Sequence, residues 1–265
     1  MWRLLLTPPA RGAYNMALDE ALMNYARERG VWVLRVYSWS LPTLSFGRNQ
    51  RARGGYDRSR LAEQRIDVVR RPTGGRAILH HREITYAVAA PVDHAGDLRE
   101  SYSRINRLLV AGLLALGVDG IEVAANAKEA RAGNGRIDAP QPGLVPCFHH
   151  PSVGEITLRG RKLVGSAQWR SNGSLLQHGS ILVDDDQLHL SSLLIDQGEP
   201  MPKPATLREV LGCAPSDADM ARVLFDAVRE NEDPHAVETL LERPLSECAQ
   251  ALQAHYLDDG WTWRC

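Results

Sequence analysis

The spacing of apolar residues changes several times along this chain, and each change predicts an element. In "NMALDEALMNYARERG" Leu18, Leu22 and Tyr25 recur at steps of three and four, the period of one helix face, and Gly30 supplies a stop. "VWVLRVYSW" and "TLSFGRNQ" read as strands. "IDVVRR" and "RAILHHREITYAVAAP" read as two more, joined by a turn at Thr73, Gly74 and Gly75. In the second of these Ile84, Tyr86 and Val88 share one face, with Thr85 and Ala87 on the other. "DLRESYSRINRLLVAGLLALG" returns to the helical period through Tyr102, Ile105, Leu109, Leu113 and Leu116, with Gly117 as its stop.

After a strand around "IEVA", the stretch "ARAGNGRIDAPQPGLVP" has no period and is rich in Gly, Pro and Ala. A long irregular segment inside a compact domain points to function or disorder. Two hairpins follow, "EITLRGRKLVGSAQWR" turning near Arg159-Gly160, and "SNGS" turning into "LLQHGSILV". Beyond "GEPMPKP" the pattern becomes helical in "TLREVLG", "DADMARVLFDAVRE", "AVETLLE" and "LSECAQALQAHYLDDG". The expected fold is α+β, a mixed and largely antiparallel sheet with flanking helices. Residues 1–195 are read as the catalytic domain and 196–265 as a helical C-terminal extension packed on it.

Composition narrows this little. Of 265 residues 44% are hydrophobic and 24% charged, as in an ordinary soluble domain, and the formal net charge of −1 gives no signal for nucleic acid. No apolar run is long enough to span a membrane, and "MWRLLLTPPARG" is too short and proline-rich for a signal peptide, so the cytoplasm is the expected compartment. Cys147, Cys213, Cys248 and Cys265 form no CxxC pair, which excludes a zinc knuckle and a dithiol motif; Cys213 and Cys248 are expected to be buried in helices. No metal site is expected.

Chemistry concentrates in a few places. Cys147 lies in "GLVPCFHHPS", beside His149 and His150. On that loop alone a half-buried thiol is the plainer reading, and a nucleophile requires a positive neighbour or a base. Lys162 can be that neighbour. It follows a tight turn in "RGRKLVGSAQ", before Gly165, Ser166 and Ala167, whose small side chains leave room for a ligand against the strand. His178 and Gly179 in "QHGSILV" can form a pocket floor. In "RRPTGGRAILHHREITY", Gly74 and Gly75 can present backbone N–H groups to a carbonyl or phosphate, Arg70 and Arg71 can hold an anion, and Thr73 can donate a hydrogen bond. No Lys-Ser or Lys-Thr follows the glycines, so this is no P-loop.

"NMALDEAL", "RRPTGGRAILHHREITY", "CFHHPS", "GRKLVGSAQ" and "QHGSILV", in that order, resemble the lipoate–protein ligase and octanoyltransferase family, over the first helix to about residue 185. The resemblance implies the sheet-and-helix fold shared with biotin ligases, and an acyl group bound between the Gly-Gly turn and the lysine strand. The Cys-Phe loop before "GRK" is similar to the octanoyltransferases of the Gram-positive type. On that match Cys147 is the nucleophile that carries an acyl thioester and Lys162 its electrostatic partner. Arg70, Arg71, Thr73, Gly74, Gly75, His80, Gly165, Ser166, Ala167, His178 and Gly179 are the implied substrate-binding residues. The implied donor is acyl carrier protein, which brings octanoyl (or lipoyl) on its phosphopantetheine, and no cofactor is needed. The implied acceptor is a lysine of glycine cleavage H protein or another lipoyl domain. An ATP-dependent lipoate–protein ligase, a transferase between two lipoyl domains and an inactive carrier-binding module are the alternatives. Relatives show His-Asp where this chain has His80-His81. The arginines of "GRNQRARGGYDRSRLAEQR" form either a solvated face or a docking surface for an acidic partner.

Overall fold

The computed structural model describes residues 1–124, 148, 154–196 and 202–264. In chain order its strands are β1 (Trp2–Leu6), β2 (Trp32–Tyr37), β3 (Thr43–Phe46), β4 (Asp67–Arg70), β5 (Ile78–His80), β6 (Glu83–Pro91), β7 (Ile121–Val123), β8 (Ile156–Leu158), β9 (Arg161–Ser171), β10 (Ser174–Leu182) and β11 (Val237–Glu238). Its helices are α1 (Gly12–Arg29), α2 (Arg58–Glu63), α3 (Leu98–Ala115), α4 (Leu207–Leu211), α5 (Asp217–Asn231), α6 (Arg243–Leu257) and α7 (Asp259–Thr262).

A large sheet runs β11-β1-β2-β6-β10-β9-β8-β7, and a small one β4-β3-β5. In the large sheet only the β11–β1 and β1–β2 pairs are parallel. The architecture is therefore the α+β arrangement expected from the periodicity. One face of the large sheet, with Leu4, Leu34, Tyr86 and Val88, packs on Ile105, Leu109 and Leu113 of α3 and Val223 and Leu224 of α5. The other, with Val33, Ala87 and Ala89, packs on Leu18, Leu22 and Ala26 of α1, and Leu245 and Ala249 of α6 join the same cluster. The small sheet has its own core, in which Leu44, Phe46 and Ile78 meet Leu61, Phe148, Leu182 and Leu190.

Local chemistry explains the boundaries. Gly30 ends α1 in the left-handed conformation at φ 65°. Asp97 and Glu100 form a reciprocal capping box at the start of α3, and Ser216 and Asp219 form another on α5. Asn172 and Gly173, at φ 49° and 76°, turn β9 into β10, as the Asn-Gly pair predicts. Arg159 and Gly160, at φ 50° and 72°, turn β8 into β9.

Four expectations are corrected. The segment around Thr73, Gly74 and Gly75 is no hairpin turn: β4 and β5 pair on opposite sides of β3, and the loop crosses over it. "RAILHHREITYAVAAP" is not one strand, because Arg82 at φ 39° breaks it into β5 and β6, which belong to different sheets. "AVETLLE" does not form a helix. It supplies β11, which pairs alongside β1, and Thr239 N–H donates to the Leu4 carbonyl at 2.8 Å. An edge strand with unpaired N–H and C=O groups outweighs the local helical period there. Cys213 is also not buried in a helix; it is exposed, past the end of α4, whereas Cys248 is half-buried on α6.

Candidate active site

Two rows of residues on one face of the large sheet lie beneath a cleft, and all but Arg35 and Ala87 line it. In the first row Arg35, Ala87, His178 and Ala167 lie side by side on β2, β6, β10 and β9. The next row on that face is Tyr37, Thr85, Ser180 and Gly165. Two of these eight positions are alanine and one is glycine, which keeps the floor low. Helix α1 closes one side with Met16, and the small sheet closes the other with Ile78, His80, Arg71 and Gly75. The open space between these walls, solvent included, is about 380 Å³. Trp39, Ser166 and Gly179 complete the lining.

The Gly-Gly loop is fixed by backbone contacts. Gly75 takes φ 97°, a value that favours glycine. A Cβ on Gly47 would lie 2.0 Å from the Gly75 carbonyl oxygen, so the loop can approach β3 only because residue 47 is glycine. The Arg71 guanidinium, buried beneath, donates to the carbonyls of Ser45, Gly74 and Arg76 and to the Ser45 hydroxyl. Arg71 thus lines the cleft while bracing the loop. Arg70 does something else. Fully buried, it donates to the carbonyls of Gly47, Gln50, Trp261, Thr262 and Arg264, tying the C-terminal segment to this loop region. Its guanidinium is engaged by carbonyls and is not part of the cleft lining.

His178 is buried and bonded at both ring nitrogens. Its Nδ1 is 2.9 Å from Asp19 Oδ2 and its Nε2 is 2.7 Å from the Thr73 hydroxyl. Asp19 in turn accepts from Arg35 at 2.7 Å and from the Tyr37 hydroxyl at 2.8 Å. Burial and the adjacent Asp19 carboxylate hold the Tyr37 phenol well above its ordinary value. His80 lies across the cleft. Its Nδ1 faces Glu83 at 3.1 Å, its Nε2 faces the Ser45 hydroxyl at 2.7 Å, and its ring stacks on Trp39 with centroids 4.0 Å apart. Burial outweighs the Glu83 contact and lowers the His80 pKa below its ordinary 6.5.

On the β9 side, Lys162 is buried rather than solvated. Its ammonium donates to Glu155 at 2.7 Å and stands 4.7 Å from the centroid of the Phe148 ring. Phe148 and the Lys162 stem both press on Gly165: a Cβ there would lie 2.9 Å from the Phe148 ring and 3.1 Å from Lys162 Cε. Gly179 is equally confined, since its Cβ would lie 2.4 Å from the Gly165 carbonyl. Beside it the Tyr86 hydroxyl donates to Ser166 at 2.7 Å, and burial pushes that phenol up to about 12.

The structure therefore gathers Arg71, Gly75, His80, Gly165, Ser166, Ala167, His178 and Gly179 around one cleft, with Thr73 behind His178. Gly74 contributes its carbonyl to Arg71. Cys147, His149 and His150 lie outside the described residues. Asp19, Glu155 and Gly47 were not expected. Asp19 had a signal: with Asn15 it falls on the α1 face that carries Leu18 and Leu22, and both polar residues are buried. Among the described residues no group of three or more His, Cys, Asp or Glu side chains is placed to hold a metal ion, and no helix is long and apolar enough to cross a membrane. Of the arginines between residues 48 and 65, Arg58 pairs with Asp259 and Arg60 with Asp57, whereas Arg51 and Arg53 are exposed.

Residues 11–229 match the family model of the lipoyl protein ligase A/B catalytic domain. The chain is 38% identical to octanoyltransferase LipM of Kyrpidia tusciae over 99% of its own length and 98% of that protein. It is 44% identical to octanoyltransferase LipM of Moorella thermoacetica over 69% of this chain and 65% of that one. The fold resembles that of a bipartite lipoate protein ligase from Thermoplasma acidophilum at a TM-score of 0.72 and 20% identity, covering 99% of this chain and 95% of the other.

Proposed function

This chain belongs to the lipoyl protein ligase A/B catalytic domain family, and from that premise we propose that it is an octanoyltransferase of lipoate biosynthesis working through a cysteine. Octanoyl transfer is the activity named for a relative that matches it nearly end to end. The acceptor is a lysine of a lipoyl-domain protein, for which glycine cleavage H protein is the proposed case. Acyl carrier protein is the proposed donor.

The observation that carries the covalent reading is the Lys162 ammonium, buried against Phe148, the residue that follows Cys147 in the chain. A thiol has an ordinary pKa of about 8.5 and reacts as its thiolate, and the Lys162 ammonium, itself paired with Glu155, is the proposed group that favours that form. The Cys147 sulfur attacks the thioester carbonyl carbon, and the carrier leaves as a free thiol. The developing oxyanion is met by Lys162 or by N–H groups of the Gly74–Gly75 loop. The acceptor amine then attacks the acyl-enzyme, the amide forms, and Cys147 is released. Thioester to amide is downhill, so no nucleotide or other cofactor is required.

Exposed Arg51 and Arg53 suit an acidic carrier or lipoyl domain, whose encounter would then slow with added salt. The test of function is octanoyl transfer from acyl carrier protein to a lipoyl domain, with and without ATP, in wild type and Cys147→Ala. Transfer without ATP that is lost in Cys147→Ala supports the reading; lipoate transfer that needs ATP and survives the substitution replaces it with a ligase.

A further inference from the structure

The first half-reaction of such an enzyme needs a thiolate nucleophile, and the second needs a neutral amine. The acceptor lysine arrives as an ammonium and must lose a proton before its nitrogen can attack. Resting on the covalent reading above, we infer that His178, oriented by Asp19, is the base that takes this proton.

The geometry fixes the tautomer. Asp19 has no exposed surface and is bound by Arg35 at 2.7 Å and the Tyr37 hydroxyl at 2.8 Å. Its remaining contact, Oδ2 to His178 Nδ1 at 2.9 Å, needs the proton on Nδ1. The lone pair is then on Nε2, where the Thr73 hydroxyl donates to it at 2.7 Å. This is the orienter–base–hydroxyl order of hydrolytic triads, but Thr73 is fully buried under the Gly-Gly loop, while the imidazole lines the cleft. The ring lines the cleft and Nε2 is held by the Thr73 hydroxyl, so on this proposal the acceptor amine takes the place of that hydroxyl at Nε2. The imidazole stands in the row next to Gly165, the residue against which Phe148 and Lys162 pack.

The charged and titratable groups around His178 are Asp19 on α1, Arg35 and Tyr37 on β2, and His80 on β5. His80 is the weaker candidate base. Its Nε2 is tied to a Ser45 hydroxyl that also accepts from the Arg71 guanidinium, so a positive charge already occupies the position its imidazolium would face.

In the step itself the acceptor nitrogen bonds to the thioester carbon and the C–S bond breaks. One ammonium proton goes to Nε2 of His178. The second, shed as the tetrahedral species collapses, goes to the departing Cys147 sulfur. The imidazolium then returns its proton to solvent. Asp19 touches no reacting atom and acts as a positioning residue.

The experiment is single-turnover kinetics on octanoyl-enzyme, timing acylation by the carrier, transfer to a lipoyl-domain lysine, and transfer to hydroxylamine, which is neutral at pH 7 and needs no base. In His178→Gln, lysine transfer is expected to fall about 100-fold or more beyond any change in acylation. Hydroxylamine transfer is expected to fall no further than acylation does. Raising the pH is expected to restore lysine transfer, because the amine then arrives already neutral. Thr73→Val, which removes only the hydroxyl, is expected to slow lysine transfer selectively by about tenfold, and serves if His178→Gln does not fold. Parallel losses with lysine and hydroxylamine would overturn the inference. A wild type that forms no octanoyl-enzyme would instead defeat the covalent reading on which it rests.

Discussion

The Lys162 ammonium and the Glu155 carboxylate meet at 2.7 Å with side-chain exposures of 1% and 7%. A buried pair of this kind contributes modestly as a pair, but either partner is expensive alone. Glu155→Gln and Lys162→Met are each expected to destabilise the fold by about 3 kcal/mol. The double variant is expected to be less destabilised than the two losses summed. Denaturant unfolding of the four proteins measures this cycle. Strict additivity would show that the two groups act independently. Glu155→Gln is also expected to slow acylation, because the ammonium loses the partner that holds it by Phe148.

The Arg70 guanidinium joins Gly47 and Gln50 to Trp261, Thr262 and Arg264. Hydrogen bonds from a charged donor are each worth about 1.5–3 kcal/mol. Arg70→Met and truncation after Leu257 are each expected to lower stability by about 3 kcal/mol or more. Together they are expected to cost much less than the sum, since they break the same bonds. Additive losses by thermal or denaturant unfolding would contradict this clamp.

Gly47→Ala places a methyl 2.0 Å from the Gly75 carbonyl, so the loop must move. A destabilisation of about 2 kcal/mol or more is expected, with acylation weakened further because Gly75 lines the cleft. A variant with wild-type stability and acylation rate would show that the loop is not held in this position.

His80 sets a pH dependence of stability. Its folded pKa is depressed by burial below the ordinary 6.5. On acidification the unfolded chain therefore binds the proton first, and stability declines as pH falls below about 6.5. Above that value this contribution is fully present. His80→Gln is expected to flatten the acid limb of the stability profile below about pH 6.5. An unchanged slope would assign the acid limb to other groups.

Much of this molecule follows from local pattern, and two of the larger exceptions have one cause. The period of α1 and α3, the Asn172-Gly173 hairpin and the alternation of Ile84, Tyr86 and Val88 are local signals, and each appears where expected. The crossover at Gly74-Gly75 and the pairing of Val237 with Arg3 depend on partners far away in the chain, which periodicity does not see. The same holds at the cleft. Glycines, histidines and Lys162 stand out by residue type. Glu155 and Asp19 matter through Lys162 and His178, positions 7 and 159 residues away. Arg70 reads as an anion ligand in the sequence because nothing local shows that the C-terminal segment returns to it.

The most direct test of the central claim is intact-protein and peptide mass spectrometry after mixing the enzyme with octanoyl-loaded acyl carrier protein and no acceptor. An octanoyl group on Cys147, removed by hydroxylamine and passed to a lipoyl-domain lysine on chase, is the predicted result. Competent transfer with no adduct at Cys147, or an adduct that never chases to the acceptor, would contradict it.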